Sequence, residues 1–445
     1  MRVIVVGSGE VGRHIAVTLS NERHDVTVIE RDEERAEQLQ GELDALVVAG
    51  NGANPKFLKH VGAEGADLLL AVTQGDEVNV IAAAAGHRLG VEQTLARVRD
   101  PDYFGEDNAF VRDVLGIDYV IDPERATAED IADTLLLPGA VHVEQFADGR
   151  LVLAETVIDE RSPLVGTIVD ERDRARPHSI VGVVRRGRAT IPAAHERLAL
   201  GDRLIVIAAS EHIAAVIAAL DGGVEEVHDV IIFGGGKVGA HLARLLAESD
   251  CDVRVIESDG ERARELAQQL PHALVLHEEE LDEGGLLSHG VDRAGAFVTC
   301  TGDDRTNLLA ASHAKHLGAR VCLAVVLRDE FVPLVDALPI DSVFSLRLTT
   351  AEAILRLVHS DSVRALHITL TGAEVLDLHA EPGAKVCGRR ISEAAALEGC
   401  EVGAIVREDQ VVIPEPDERI LAGDRVLVFR LHGVAGDVER AFTNG

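Results

Sequence analysis

The sequence predicts an α/β fold with two doubly wound parallel-sheet domains, each followed by a small β-rich α+β domain. Three observations predict it: apolar strands alternate with helical patterns, a glycine motif occurs twice, and the two halves of the chain repeat. Apolar residues form 47% of the 445 residues, and aromatic residues form only 3%. Cores of Val, Ile, Leu and Ala are typical of parallel sheets that are covered on both faces.

The chain is a tandem duplication of a two-domain unit. Residues 3–12 (VIVVGSGEVG) recur as residues 230–239 (VIIFGGGKVG), 227 positions further on. The segment after each unit repeats at an offset of 222 and carries five identities. These are Gly166, Arg185, Pro192, Gly201 and Asp202, which recur as Gly388, Arg407, Pro414, Gly423 and Asp424. We therefore expect four domains, at 1–138, 139–222, 227–358 and 359–445.

Hydrophobic periodicity places the elements of the first unit. Residues 3–6 form a continuous apolar run, as in a strand buried on both faces, and residues 10–20 form a helix with one apolar stripe. Further strands are expected at 26–29, 45–49, 67–72, 93–98 and 118–121, and helices at 32–40, 54–61, 76–89, 107–115 and 124–136. Short strands of the small domain are expected at 152–158, 180–184, 189–191 and 204–208, and the second unit follows the same order.

Each glycine motif has the G-x-G-x-x-G spacing of a dinucleotide-binding loop. In the first copy Gly7 permits the tight turn, Gly9 lets a pyrophosphate approach the backbone, and Gly12 lets the helix pack against the strand. The free N–H groups and the positive end of the helix dipole then face the anion. A Rossmann-like nucleotide site is the expectation for each copy.

An acidic residue follows each motif at the same spacing. Glu30 lies 23 residues after Gly7, and Glu257 lies 23 residues after Gly234. A carboxylate there accepts hydrogen bonds from ribose hydroxyls and repels a 2′-phosphate, so NAD or an adenine nucleotide such as ATP or ADP is favoured over NADP. The alternative is that one or both folds are relics whose glycines have only a structural role.

The chain is strongly acidic, with 76 Asp and Glu against 43 Lys and Arg, of which five are Lys. A net charge of −33 disfavours nucleic-acid or lipid binding, because a polyanion repels phosphate groups. An acidic, Lys-poor chain suits the salty cytoplasm of a halophile, where salt screens the self-repulsion; ordinary acidity from a high-GC genome is the alternative. The sequence shows neither a signal peptide nor an apolar run long enough for a bilayer, so we expect a cytoplasmic protein without direct membrane insertion.

Sequence patterns of catalysis are not found. There is no Tyr-x-x-x-Lys, no Walker A pair, no GxSxG and no HExxH, and the five Cys form no C-x-x-C pair. His313 and His316 share a helix face and could ligate a metal, but a surface role is favoured. The segments 201–203 and 423–425 (both Gly-Asp-Arg) are interpreted as turns that enter strands. We expect neither an enzyme nor a metal site.

The whole chain resembles the TrkA family of Trk-type potassium uptake proteins, which contain two RCK (KTN) units, each a Rossmann domain followed by a TrkA-C domain. The resemblance rests on the glycine motifs, Gly50-Asn51, residues 71–79 (AVTQGDEVN), Ala96-Arg97-Val98, and Pro163-Leu164-x-Gly166 with Gly201-Asp202. It implies a cytoplasmic regulatory subunit that docks on a TrkH-type membrane subunit, which carries the potassium. It also implies a homo-oligomeric ring, such as a tetramer of these tandem chains.

The resemblance further implies roles for individual residues. In the first copy it places the pyrophosphate at Gly7, Ser8, Gly9, Glu10, Val11 and Gly12, the ribose at Glu30, the adenine near Asn51, the distal half of the ligand at Thr73 and Gln74, and a phosphate at Arg97. The candidates of the second copy are Gly234, Gly235, Gly236, Lys237, Val238, Gly239, Glu257 and Thr301.

The second copy departs from this pattern. Glu278 and Glu279 face Gly50 and Asn51, and Ala324 or Val326 stands opposite Arg97, depending on the gap. Two carboxylates gained and one guanidinium lost weaken the binding of an anion. We therefore expect the first site to bind a nucleotide more tightly than the second.

Regulation by such sites requires no bond-making. A ligand shifts a conformational equilibrium only through its differential affinity for the two states, and a tenfold preference supplies about 1.4 kcal/mol per site. Several coupled sites in a ring could supply the ~5.5 kcal/mol that takes a gate from mostly shut to mostly open. The alternatives are an NAD-dependent oxidoreductase, which the missing proton donor disfavours, and a tandem RCK regulator of another cation transporter.

Overall fold

The computed structural model describes residues 1–21, 24–100, 110–168, 177–192, 196–279, 282–328, 330–332, 337–358, 363–368, 373–394, 397, 399–408, 410–415, 417–431 and 438–444. These residues form two parallel and two antiparallel sheets. The chain divides into two compact units, residues 1–127 with 346–358 and residues 128–345 with 359–445. The fold class expected from the sequence is confirmed.

The first unit contains a six-stranded parallel sheet of order β3-β2-β1-β4-β5-β6. Its strands are β1 (Arg2–Val6), β2 (Asp25–Glu30), β3 (Leu46–Ala49), β4 (Leu68–Ala71), β5 (Gln93–Arg97) and β6 (Tyr119–Ile121). The strand order reverses between β1 and β4, and ligands of such sheets bind outside the carboxyl ends of the strands at that point.

The helices of the first half lie close to where periodicity placed them. They are α1 (Glu10–Asn21), α2 (Glu33–Gln40), α3 (Pro55–His60), α4 (Asp76–Leu89) and α5 (Pro123–Leu135). The expected helix 107–115 is a short π-helix at Phe110–Val114, and residues 107–109 lie outside the described part of the chain.

Helix α1 buries the predicted stripe. Val11, Ile15 and Leu19 lie in one hydrophobic cluster with Val3 and Val5 of β1. Burying a Val, Leu or Ile side chain contributes about 1.5–3 kcal/mol, so this stripe fixes the first turn of α1 against the sheet.

A helix from the second half of the sequence completes the first unit. Helix α11 (Leu346–Val358) contributes Ala351, Ile354 and Leu355 to the cluster that contains Val11 and Ile15. The repeat predicts a helix in this part of the chain, but not that it belongs to the first sheet.

The second unit contains the other parallel sheet, of order β14-β13-β12-β15-β16-β17. Its strands are β12 (Asp229–Phe233), β13 (Asp252–Glu257), β14 (Ala273–His277), β15 (Ala296–Thr299), β16 (Val321–Val326) and β17 (Ser342–Ser345). Its helices are α7 (Lys237–Ala247), α8 (Gly260–Gln269), α9 (Glu283–Ser288) and α10 (Asp304–Leu317). Within the described ranges, no helix of the chain combines the length and apolar character that crossing a bilayer requires.

The two antiparallel sheets have the same topology. The first contains β7 (Ala140–Phe146), β8 (Leu151–Val157), β9 (His178–Arg185), β10 (Arg188–Thr190) and β11 (Arg203–Ala209), followed by α6 (Ile213–Asp221). The second contains β18 (Val363–Ile368), β19 (Glu374–His379), β20 (Cys400–Arg407), β21 (Gln410–Val412) and β22 (Arg425–Arg430), followed by α12 (Val438–Phe442). Strand β7 was not predicted, because His142 and Glu144 interrupt its apolar run; Glu144 is nevertheless buried.

The two antiparallel sheets share one hydrophobic core. Leu153 and Ile207 of the first sheet lie in the same cluster as Val406 and Phe429 of the second. A Cβ added at Gly182 would lie 2.9 Å from the Phe429 ring, so the sheets approach as closely as a glycine allows. The small domains of the two halves therefore fold as one body.

A buried carboxylate underlies the repeated Gly-Asp-Arg segment. Asp202 is 1% exposed, accepts two hydrogen bonds from the Arg185 guanidinium at 2.7 and 2.6 Å, and accepts a third from the N–H of Ala199 at 2.8 Å. Burial favours a higher pKa of Asp202, but these hydrogen bonds outweigh it and hold the pKa below its usual value. The segment is a turn entering β11, as interpreted, and it is also an anchor that sequence reasoning missed.

We predict that Asp202→Ala lowers the free energy of unfolding by about 2 kcal/mol, because the substitution leaves a backbone N–H and Arg185 without their acceptor. Since the pKa of Asp202 is lowered, the stabilisation is present at neutral pH and is lost as the pH falls through that lowered pKa. Urea unfolding at several pH values measures both effects.

The matched control is Asp159→Ala, which removes an exposed carboxylate that pairs with Arg161 at 2.6 Å. Its expected cost is below about 1 kcal/mol, because exposed pairs contribute little. Equal losses in the two variants would contradict the anchoring role.

Candidate nucleotide-binding site

The first glycine loop is packed tightly on one side. Gly7 has a φ of +102° and donates its N–H to the carbonyl oxygen of Ile29 at 2.9 Å. A Cβ at Gly7 would lie 2.9 Å from Cγ2 of Thr73, and a Cβ at Gly12 would lie 2.0 Å from the carbonyl oxygen of Gly7. The structure thus brings Gly7, Gly12 and Thr73 together.

The other side of the loop is open at Gly9. No heavy atom lies within 4 Å of a Cβ built on Gly9, and its carbonyl oxygen accepts the first bond of α1, from the N–H of Arg13 at 2.8 Å. The N–H groups of the first helical turn have no acceptor within the helix, and they carry its positive dipole end. Glu10 is exposed there, whereas Val11 is buried in the core.

The Glu30 carboxylate is tied to this loop. It accepts hydrogen bonds from the hydroxyl and the N–H of Ser8, the latter at 3.3 Å, and from the N–H of Asp32 at 3.0 Å. Burial favours a higher pKa of Glu30, but the hydrogen bonds from Ser8, Asp32 and Arg31 outweigh it and hold the pKa below its usual value. Glu30 is therefore ionised at neutral pH and is a strong acceptor at the carboxyl end of β2.

Asn79 joins the ends of two neighbouring strands. Its Oδ1 accepts from the N–H and hydroxyl of Thr73 at 2.8 and 2.7 Å, and its Nδ2 donates to the carbonyl oxygens of Thr73 and Arg97 at 3.0 and 2.8 Å. Asn79 is fully buried, so this clamp fixes Thr73 beside Arg97. The sequence motif contained Asn79, but no role was assigned to it.

Arg97 is partly buried at the end of β5. Among the described residues its Nε has no hydrogen-bond partner, although it is buried. Burial lowers the pKa of Arg97, and the nearby Glu124 carboxylate opposes that shift. A buried guanidinium nitrogen without an acceptor is a position where an anionic ligand stabilises the structure.

Asn51 and Gln74 are exposed and make only local contacts. The Oδ1 of Asn51 accepts from the N–H of Ala53 at 3.0 Å, and the carbonyl oxygen of Gln74 accepts from the Arg99 guanidinium. The printed contacts do not join either residue to the glycine loop, although both follow carboxyl ends of strands of the same sheet.

The second copy repeats the loop and the clamp. Gly234 has a φ of +111°, a Cβ at Gly239 would lie 2.0 Å from the carbonyl oxygen of Gly234, and the N–H of Gly235 donates to Glu257 at 2.8 Å. Asn307 bonds the N–H of Thr301 at 2.9 Å. Gly236 and Lys237 are exposed at the start of α7, and Val238 is buried.

The structure corrects the alignment of the two copies at Arg97. The Asn307 amide donates to the carbonyl oxygen of Val325 at 2.8 Å, as the Asn79 amide does to Arg97. Val325, rather than Ala324 or Val326, is therefore the equivalent of Arg97, because the offset between the copies is one residue larger after β3 than before it. Val325 is 3% exposed, and this strand end carries no cation.

The residues opposite Gly50 also differ. Glu278 of the second copy contacts His289 at 3.2 Å, whereas a Cβ at Gly50 would meet the Phe57 ring at 2.1 Å. Glu279 is exposed. The two loops therefore share a backbone geometry but differ in the charges around it.

The two histidines on α10 do not point to a metal site. His313 lies 3.8 Å from Glu283, and the Nδ1 of His316 lies 3.1 Å from the carbonyl oxygen of Ser312. No group of three His, Cys, Asp or Glu side chains suited to a metal occurs in the part of the chain that the structure describes.

Comparison with known proteins agrees with this arrangement. The TrkA-N domain family matches residues 3–123 and 230–346, and the TrkA-C domain family matches residues 153–221 and 379–439. The chain belongs to the TrkA family. It is 32% identical to Trk system potassium uptake protein TrkA homolog 1 of Methanosarcina mazei, over 99% of this chain and 100% of the relative. It is also 32% identical to TrkA of Azorhizobium caulinodans, over 99% and 97%.

Solved structures of similar fold are those of the GsuK channel. The GsuK channel bound to NAD superposes with a TM-score of 0.62 and 20% identity, over 99% of this TrkA-family chain and 78% of that chain. The GsuK RCK domain gives a TM-score of 0.62 over 97% and 92%. At this identity the likeness shows a shared RCK-type fold.

We predict that Gly9→Ala weakens nucleotide binding at the first site by about tenfold or more without lowering the melting temperature, because its Cβ points into open space above the loop. Gly12→Ala should instead lower the free energy of unfolding by about 1–3 kcal/mol, because its Cβ meets a carbonyl oxygen at 2.0 Å. Calorimetric titration and thermal unfolding separate the two effects. A stable Gly12→Ala variant, or a Gly9→Ala variant with unchanged affinity, would contradict the geometry.

We also predict that calorimetric titration with NAD resolves a tighter and a weaker site in each chain. Arg97→Ala should weaken the tighter site by about tenfold and leave the weaker site unchanged, because Val325 stands at the equivalent position. The weaker site is the internal control. Two equal sites, or equal losses at both, would contradict the assignment.

Proposed function

We propose that this TrkA-family chain is a nucleotide-sensing regulatory subunit of a potassium uptake system. The observation that carries the proposal is that a chain similar to TrkA proteins along its whole length contains two glycine loops, each tied to a carboxylate at the same spacing. The relatives are named as potassium uptake proteins, and the GsuK structures are those of a channel. A binding site without bond-making groups suits a sensor.

The proposed ligand of the first site is NAD or NADH, with ATP or ADP as the alternative. Residues 7–12 and the first turn of α1 bind the pyrophosphate, Glu30 binds the ribose, and Asn51 lies near the adenine. Thr73, Gln74 and Arg97 face the distal half of the ligand. The open space at Gly9 and the unpartnered Nε of Arg97 support this fit.

Two further points support the choice of ligand. The ionised Glu30 repels a 2′-phosphate, which disfavours NADP. GsuK has been observed bound to NAD and bound to ADP. In the second site, residues 234–239 with Glu257 and Thr301 bind a nucleotide more weakly, since no cation replaces Arg97.

The proposed mechanism is a population shift. The nucleotide favours one conformation of a homo-oligomeric ring, such as a tetramer of these chains, and the ring gates a TrkH-type membrane subunit that carries the potassium. Each tenfold difference in affinity between the conformations supplies about 1.4 kcal/mol, and sites coupled in a ring add. The chain then acts in the cytoplasm, at the inner face of the membrane through its partner, and consumes no nucleotide.

We predict that NADH, NAD, ATP or ADP changes potassium flux through vesicles that contain the chain and a TrkH-type partner, while the NADH absorbance stays constant. Gly9→Ala should reduce the nucleotide effect on the flux, because it obstructs the pyrophosphate. The control Lys59→Ala removes an exposed cation that pairs with Glu64 and should leave the effect intact. Steady oxidation of NADH would indicate an oxidoreductase, and co-purification with a different cation transporter would indicate another partner.

A further inference from the structure

A guanidinium from the second half of the chain lies beside the first glycine loop. Arg347 is in the first turn of α11, whose Ile354 and Leu355 pack in the core with Val11 and Ile15 of α1. This packing holds the start of α11 next to the start of α1. The sequence places Arg347 335 residues after Gly12, and no motif pointed to it.

Arg347 forms an ion pair with Glu10, the variable residue within the glycine motif. The side chain of Arg347 is 16% exposed and that of Glu10 is 61% exposed, so the cation is held in the protein while the carboxylate faces solvent. A guanidinium this deeply buried is costly unless anionic groups surround it. Its planar fork of donors suits two anionic partners at once.

Glu10 by itself opposes nucleotide binding. A carboxylate in the first turn stabilises the helix dipole, but it repels a diphosphate that approaches the same N–H groups. Arg347 cancels this repulsion. A site that contains Glu10 therefore needs a cation close to Glu10 to bind a diphosphate well.

The second copy has the opposite arrangement of charge at the equivalent positions. Lys237 occupies the position of Glu10 in the repeat. Ile121 pairs with Arg97 as Phe344 pairs with Val325, so the residue equivalent to Arg347 is Glu124. The first copy thus carries an acid in the loop and a base on the later helix, and the second copy carries the reverse. This exchange of sign at both positions indicates that the two positions act together.

We propose that Arg347 is a diphosphate-binding residue of the first nucleotide site, where its guanidinium bridges the Glu10 carboxylate and the ligand. This role rests on the nucleotide-sensing function proposed above. The first site is then incomplete without α11, so binding of a nucleotide and docking of α11 stabilise each other by the same factor. Occupancy of a loop in the first half of the chain is thereby read by a helix of the second half.

The test is calorimetric titration of the full chain with NAD, ADP and adenosine. Arg347→Ala should weaken NAD and ADP binding at the tighter site by about ten- to a hundredfold, because a hydrogen bond between charged groups is lost. Adenosine lacks phosphate, and its affinity should not change. Arg347→Lys should give an intermediate loss, because it keeps the charge but not the fork.

A double-mutant cycle separates a binding role from a structural one. In a Glu10→Gln background, Arg347→Ala should cost less than in the unmodified chain, because no carboxylate remains to repel the phosphates. Lys59→Ala is the control for loss of one positive charge from the same unit and should leave all three affinities unchanged. The melting temperature of each variant reports whether α11 remains docked.

The outcomes distinguish this proposal from the proposed function. If the unmodified chain binds NAD and ADP and Arg347→Ala binds them equally well, the role of Arg347 is overturned and the sensing function stands. An equal loss of adenosine and ADP affinity also overturns it, because that result marks a structural effect. If the unmodified chain binds no nucleotide, both proposals fail.

Discussion

The close approach of Gly12 to the carbonyl oxygen of Gly7 is the contact on which the first site depends. A side-chain carbon at Gly12 would lie 2.0 Å from that oxygen, so only glycine lets α1 begin directly above the end of β1. This position directs the N–H groups of the first turn to the open space at Gly9 and places Glu30 beside the loop. Gly239 and Gly234 keep the same 2.0 Å relation in the second copy.

The duplication preserves backbone geometry more closely than charge. Thr73 with Asn79 and Thr301 with Asn307 make the same clamp, yet the strand end behind the clamp carries Arg97 in one copy and Val325 in the other. Glycine loops and clamps are fixed by steric fit, whereas a charge at the rim can change without altering the fold. Two sites of one shape can therefore differ in affinity.

The two halves of the chain do not fold as separate bodies. Residues 346–358 of the second half complete the core of the first unit, and the two antiparallel sheets share one hydrophobic cluster. A glycine at 182 lets Phe429 approach closely, and Arg425 of the second sheet pairs with Asp148 of the first at 2.7 Å. A change at one site can thus reach elements from the other half through packed side chains.

The sequence by itself determined the fold class, the duplication, the glycine loops with Glu30 and Glu257, and the resemblance to the TrkA family, which the family comparisons confirm. These features are local, because strand and helix periods and tight turns depend on residues close in the chain. Only the tertiary structure decided that α11 joins the first unit, that Arg347 meets Glu10, that Asp202 anchors Arg185, and that Val325 is the equivalent of Arg97. An apolar stripe shows that a helix needs a partner surface but does not specify which one, and a one-residue change in a loop costs too little to be visible in the sequence.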